Sequence, residues 1–183
     1  MKIQTPTDTA LIIIDMQESF ASVITDFYSV LNNCQILLKG FQALKAPILI
    51  TEQYPEKLGA TVQELTQYSS KITPIAKTCF SCYRDPLFKK TLKREYKKVT
   101  AVALAGIEAH VCLYQTAYDL LQEGYRVEIV EDAISSRTAS NREIGIKRIL
   151  QLGAFSTSVE MLLLEQLGGK DHEAFKTIQA IVK

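Results

Sequence analysis

An excess of charge of either sign is what this 183-residue chain most plainly lacks: 21 Lys and Arg stand against 20 Asp and Glu, a formal net charge of +1. That balance gives no bulk attraction to nucleic acid or to an acidic membrane surface. Long apolar runs are also missing, none nearing the ~18 residues that span a bilayer. Hydrophobic residues at 47% and charged residues at 22% are nonetheless ordinary globular proportions. After Met1–Thr9 the first apolar stretch stops at Asp15, too short for a signal-peptide core of ~7 to 15 residues. Secretion is not expected; an intracellular compartment is, the cytoplasm first, with a mitochondrial address left open. Four cysteines are too few for a disulfide scaffold and leave free thiols for chemistry. There is no glycine-rich phosphate loop, internal repeat or low-complexity linker. At roughly 100 to 200 residues per domain, residues 1–183 read as one domain.

What is present is an alternation. Ala10–Asp15 (ALIIID) is a short continuous apolar run rich in β-branched residues, the pattern of a strand buried on both faces. Pro47–Glu52, Val99–Gly106 and Tyr125–Glu131 resemble it, and Ala154–Thr157 is a weaker fifth. Between them apolar residues recur with helical spacing, as at Leu31, Leu37, Leu38, Phe41 and Leu44, or from Val111 to Leu121 before Gly124. Strands joined by helix-length crossovers call for a parallel sheet covered on both faces, a doubly wound, Rossmann-like α/β fold. Its ligands bind beyond the carboxyl ends of the strands. The weakly periodic stretch Gln53–Pro74 fits a loop or lid over such a site.

Three residues could bring chemistry there. Asp15 ends the first buried strand and is either a cap or an acid delivered to the crevice. In Gly106–Cys112 (GIEAHVC) a strand ends in glycine and Cys112 opens a helical segment; a helix N-terminus favours thiolate and lowers cysteine pKa values to about 3.5 to 7.5. The alternative is a small buried hydrophobe. Lys77, followed by Cys79 and Cys82, would stabilise both anions if its element ends at the same crevice.

The set Asp15-Met16-Gln17, Thr51 to Pro55, Lys77 to Ser81 and Gly106-Ile107-Glu108-Ala109 before Cys112 resembles the isochorismatase-like cysteine hydrolase superfamily, in the branch of isochorismatase domain-containing proteins. The resemblance runs from Ala10 through Asp132–Arg137 to the last helices. It implies a parallel sheet of about six strands and an Asp-Lys-Cys triad falling on Asp15, Lys77 and Cys112. It also implies a cis peptide between Ile107 and Glu108, where the following N–H joins that of Cys112 in an oxyanion hole. The expected activity is hydrolysis of a small molecule, an amide or other C–N bond, through a thioester. Phe20, Tyr54 and Glu108 are then the expected pocket wall, and a homo-oligomer the expected assembly.

One departure narrows this. The nicotinamidase branch carries Asp and several His as metal ligands after the second strand, whereas this chain has Thr51-Glu52-Gln53-Tyr54 there and only His110 and His172. No metal site and no cofactor are expected, since transition-metal sites in this setting want imidazole. Cys79-x-x-Cys82 has redox spacing but supplies two of the four ligands zinc needs. The basic run Lys89–Lys98 reads better as a solvated amphipathic helix face, with Leu92 and Tyr96 inward, than as a phosphate-binding patch. Two rivals stand beside the hydrolase: a nucleic-acid-interacting protein or ribonuclease using that run, and a catalytically idle scaffold.

Overall fold

A computed structural model describes residues 5–68 and 72–183. Met1–Gln4 of the N-terminal segment and residues 69–71 of the stretch read as a lid lie outside them. Six strands form one sheet: β1 (Thr9–Ile14), β2 (Ile48–Gln53), β3 (Ile75–Lys77), β4 (Ala101–Ile107), β5 (Arg126–Ser135) and β6 (Phe155–Thr157). Every pairing is parallel, in the order β3-β2-β1-β4-β5-β6. This is the doubly wound α/β sheet the alternation predicts, and its strand order reverses between β1 and β4.

The central strands are hydrophobic on both faces because both are covered. Leu11 and Ile13 of β1 join a core with α1 (Phe27–Ala43), while Ala10, Ile12 and Ile14 join a second core on the other side. Two short helices, α2 (Pro55–Leu58) and α3 (Gln63–Thr66), and then α4 (Pro86–Lys90) and α5 (Tyr114–Gln122) follow along the chain. The last three are α6 (Ala139–Gln151), α7 (Val159–Leu167) and α8 (Phe175–Ile181). With α1, the helices α7 and α8 cover the first face; α4, α5 and α6 cover the second. Ile12, Ile13 and Ile14 are fully buried, each worth about 1.5–3 kcal/mol relative to exposure. Among the described residues no helix is long and apolar enough to cross a membrane.

The stretch read as a lid is fastened down. Gln17 Nε2 donates to the carbonyls of Gln53 (3.1 Å) and Gly59 (2.6 Å), and Glu52 Oε1 accepts from the N–H (2.6 Å) and hydroxyl (2.7 Å) of Thr61. The basic run lies on α4 and the wide helical turn Thr91–Glu95, with Leu92 buried and its charges outward. Lys93 (2.7 Å) and Lys89 (3.7 Å) both pair with Glu123.

One buried acid stands apart from any chemistry. Glu128, in the middle of β5, is 2% exposed; its Oε1 accepts from Arg126 (2.8 Å), but Oε2 has no partner. Burial pushes its carboxyl above the usual glutamate range, and Arg126 offsets only part of that. The folded protein therefore holds a proton that the unfolded chain releases near pH 4.5. The associated stability is complete below that pH and is lost as pH rises through the higher folded value. Glu128→Gln is expected to stabilise by about 1 kcal/mol at pH 8, or about 2–4 °C in Tm, and to flatten the pH slope. Thermal melts of both proteins from pH 4 to 9 check this; a parallel pair of curves contradicts it.

Candidate active site

Four strand ends converge at the reversal point. Asp15 follows β1 directly, is 1% exposed, and takes a left-handed backbone (φ 54°) that non-glycine residues rarely adopt. The conformation is held by its N–H, which donates to Thr51 O (3.1 Å). Asp15 Oδ1 accepts from the Thr51 hydroxyl (2.8 Å) and Oδ2 from Lys77 Nζ (2.7 Å). Lys77 ends β3 with its side chain fully buried; Nζ also donates to Gln53 Oε1 (2.7 Å) and lies 3.8 Å from Cys112 Sγ. Burial pulls this ammonium down, yet the nearby Asp15, Cys82 and Cys112 together hold it above the usual lysine value. Asp15, Lys77 and Cys112, distant in sequence, thus share one buried cluster.

Cys112 departs from the sequence expectation in one respect. The helical segment opens at Ala109, as a wide turn (Ala109–Leu113) running into α5, so the thiol sits within the first turn rather than at its leading residue. Burial, and then the Asp15 carboxylate that shares a hydrogen bond with it, push the thiol's pKa up from the ordinary cysteine value, while Lys77 offsets only part.

The peptide between Ile107 and Glu108 is cis. Glu108 caps the wide turn and is buried, its Oε2 accepting from the backbone N–H (2.9 Å) and Nε (3.1 Å) of Arg137. Glu108 is therefore engaged with the loop after β5 rather than a bare pocket wall. Phe20 sits half-buried in a short turn (Glu18–Phe20) against the α1-side core. Tyr54 is 44% exposed, with its backbone N–H on Lys77 O (2.8 Å). Among the described residues neither of these two side chains forms a hydrogen bond or ring contact with the buried cluster.

Thr51, Gln53 and Gln17 received no role from sequence, yet they hold the cluster. Gln17 Oε1 accepts from Gln53 N (2.7 Å), Gln53 Nε2 donates to Thr78 O (2.8 Å), and Gln53 Oε1 is left to receive Lys77. The available signal was a polar residue at the end of each apolar strand. Cys79 and Cys82 are both unpaired; Cys82 is fully buried against Thr51 (3.7 Å), and burial pushes its thiol up to about 12. Among the described residues no three His, Cys, Asp or Glu side chains converge to hold a metal ion.

The isochorismatase domain model matches residues 9–161. Mouse isochorismatase domain-containing protein 2A is 40% identical over 178 residues, 97% of this chain and 84% of that protein. The structure of MAR1 ribonuclease from Caenorhabditis elegans superposes with a TM-score of 0.93 at 40% identity, covering 99% of this chain and 92% of that one. The YcaC gene product of Escherichia coli, described as an octameric hydrolase of unknown specificity, shares the fold with a TM-score of 0.90 at 21% identity, over 99% and 91% of the two chains.

Proposed function

The chain belongs to the isochorismatase domain family, and on that footing we propose that it is a cysteine hydrolase of a small molecule, cleaving an amide or other C–N bond with Cys112 as nucleophile. The observation that carries this is the 2.7 Å pairing of Lys77 with Asp15 beside the Cys112 thiol, all three buried at the strand-order reversal. Because burial pushes the thiol's pKa up, attack on the acyl carbon passes its proton to Asp15 as the C–S bond forms. Lys77 keeps the shared negative charge favourable, and backbone N–H groups at Glu108 and Cys112 face the developing oxyanion. Asp15 returns the proton to the departing amine, leaving a thioester. Water, deprotonated by Asp15, then releases the acid and restores the thiol.

Iodoacetamide labelling with mass spectrometry of the four cysteines tests the nucleophile. Cys34 and Cys82 are fully buried and should remain unmodified; Cys112 should react with a rate that climbs with pH, and Cys112→Ala should abolish amide turnover without lowering Tm. A folded Cys112→Ala protein that keeps its amide turnover ends the hydrolase reading. A homo-oligomer belongs to the proposal, supported by exposed apolar side chains such as Ile144, Met161 and Leu164.

A ribonuclease is the second reading. It is favoured by the name of the C. elegans relative and by a cavity of about 400 Å³ lined by Pro86, Lys89, Lys90, Lys93 and Arg94. Against it, Lys89 and Lys93 are already paired with Glu123. RNA binding through this run would weaken steeply between 50 and 200 mM salt.

A further inference from the structure

Thr51 and Cys82 belong to the buried cluster, yet the reaction above gives neither of them a part. Thr51 lies where β2 pairs with Ile14 of β1 and Ile75 of β3, and it is fully buried. Its hydroxyl makes two contacts, 2.8 Å to Asp15 Oδ1 and 3.7 Å to Cys82 Sγ. A hydroxyl has one proton to give, and a carboxylate oxygen has none. That proton therefore lies between Thr51 and Asp15, which leaves Cys82 as the donor to Thr51 Oγ1. Cys82 is itself fixed: its backbone N–H donates to the hydroxyl of Thr116 (2.9 Å), one turn beyond Cys112 in the same helical segment. Burial pushes the Cys82 thiol up to about 12, so the proton it donates is retained at neutral pH.

The direction of these two bonds matters for the base. A hydrogen bond donated to a carboxylate is roughly twice as strong as one between neutral groups, so Thr51 favours the charged form of Asp15 and opposes its taking up a proton. Lys77 acts in the same sense from Oδ2. Cys82 polarises the Thr51 hydroxyl and keeps it turned toward Asp15, because hydrogen bonds in series strengthen one another in a buried, low-dielectric site. Asp15 is also hydrogen-bonded to the Cys112 thiol. The two share a proton as a coupled pair, and whatever favours the carboxylate holds that proton on sulfur.

Resting on the hydrolase reading, we propose that Thr51 and Cys82 are positioning residues that act through Asp15 to keep the shared proton on Cys112 until an acyl substrate is in place. The sulfur is thereby guarded against adventitious electrophiles. A bound carbonyl, whose developing oxyanion the backbone donors stabilise, supplies the free energy that draws the proton across to Asp15.

The test is a gain of reactivity. Thr51→Val keeps the shape of the side chain and removes its proton. Alkylation of Cys112 by iodoacetamide, in which sulfur displaces iodide and the thiol proton stays on Asp15, should then be about tenfold faster at pH 7, the difference between a hydrogen bond to a charged and to a neutral group. Because the proton moves within the pair, the added rate should be flat from pH 6 to 8; a thiol that loses its proton to water speeds up roughly tenfold per pH unit with its thiolate fraction. Thr51→Ser and Cys82→Ser each keep an O–H donor and should return the wild-type rate. Cys82→Ala should give a smaller rise, equally flat with pH.

Cys34, fully buried on the opposite face of the sheet, is the internal control for a loosened fold and should stay unlabelled, as mass spectrometry of the intact protein and its peptides would show. With Cys34 protected, an unchanged or slower rate in Thr51→Val, or a gain that climbs with pH, overturns the proposal. Should Thr51→Val label Cys34, Cys82→Ala decides by the same two criteria. Amide turnover that survives in Cys112→Ala would fail the hydrolase reading instead, whatever the Thr51→Val rates.

Discussion

Lys77→Met is expected to cost about 3–5 kcal/mol of folding stability at pH 7. The methionine fills a similar volume but leaves Asp15, 1% exposed, with a hydroxyl from Thr51 in place of a cation. It also strands Gln53 Oε1, which now accepts from Nζ at 2.7 Å. Removing one partner of a buried pair leaves an uncompensated charge, which is why the loss exceeds that of a surface bridge. The double change Asp15→Asn with Lys77→Met should recover most of the deficit, giving a large coupling in a double-mutant cycle. The pH dependence has a definite sign. Lys77 is raised above 10.5 in the folded protein, so its contribution is complete below that pH and lost as pH rises through the folded value. Urea titrations at pH 5, 7 and 9 measure all four proteins of the cycle; a loss under about 1 kcal/mol in Lys77→Met would show that the ion pair is not what holds the strand ends together.

Gly106→Ala should be at least as damaging, with more than about 4 kcal/mol lost or no folded protein recovered. Gly106 pairs with Ile14 across β1 and β4 and has φ 104°. A Cβ there would lie 2.1 Å from Ile14 O and 2.7 Å from Ile14 N. Both obstacles are backbone atoms of the central strand, so relief requires opening the β1–β4 ladder next to Asp15. Gly124→Ala is the control: φ is 84° but nothing lies within 4 Å of its added Cβ, so only the left-handed penalty of about 1–2 kcal/mol applies. Urea unfolding, or soluble yield if the protein does not accumulate, separates the two. Equal losses would mean that backbone conformation rather than strand contact sets the requirement.

The fold was legible because burial on both faces writes itself into composition. Ala10–Asp15 was read for a strand spanning Thr9–Ile14, and Pro47–Glu52 for Ile48–Gln53. Two misses have physical causes. At three residues β3 is too short to display a period, and only Lys77 at its end drew notice. β5 runs on to Ser135 because the chain resumes pairing with β4 after a register shift beyond Leu104; the polar Glu131-Asp132 step hides this from an apolar pattern. At the site, residue types that ionise or attack were visible. Thr51, Gln53 and Gln17 were not, since an amide or hydroxyl says nothing until the strand ends that it joins are known. Cys112 was visible, but the burial that pushes its thiol pKa up comes from distant elements that a local pattern does not display.

The site draws on the ends of β1, β2, β3 and β4, with Asp15 and Cys112 lying 97 positions apart along the chain. Pairings of that sequence separation form late and at high loop-closure cost. No local folding unit contains the cluster, so it has no partly assembled form: the Lys77–Asp15 bond and the desolvated thiol come into being together with the sheet. Nicking the chain between β1 and β5, or fraying β1 from β4, would turn Cys112 into an ordinary solvated cysteine. The accessibility of that one sulfur is therefore a reporter of whether the whole parallel sheet is closed.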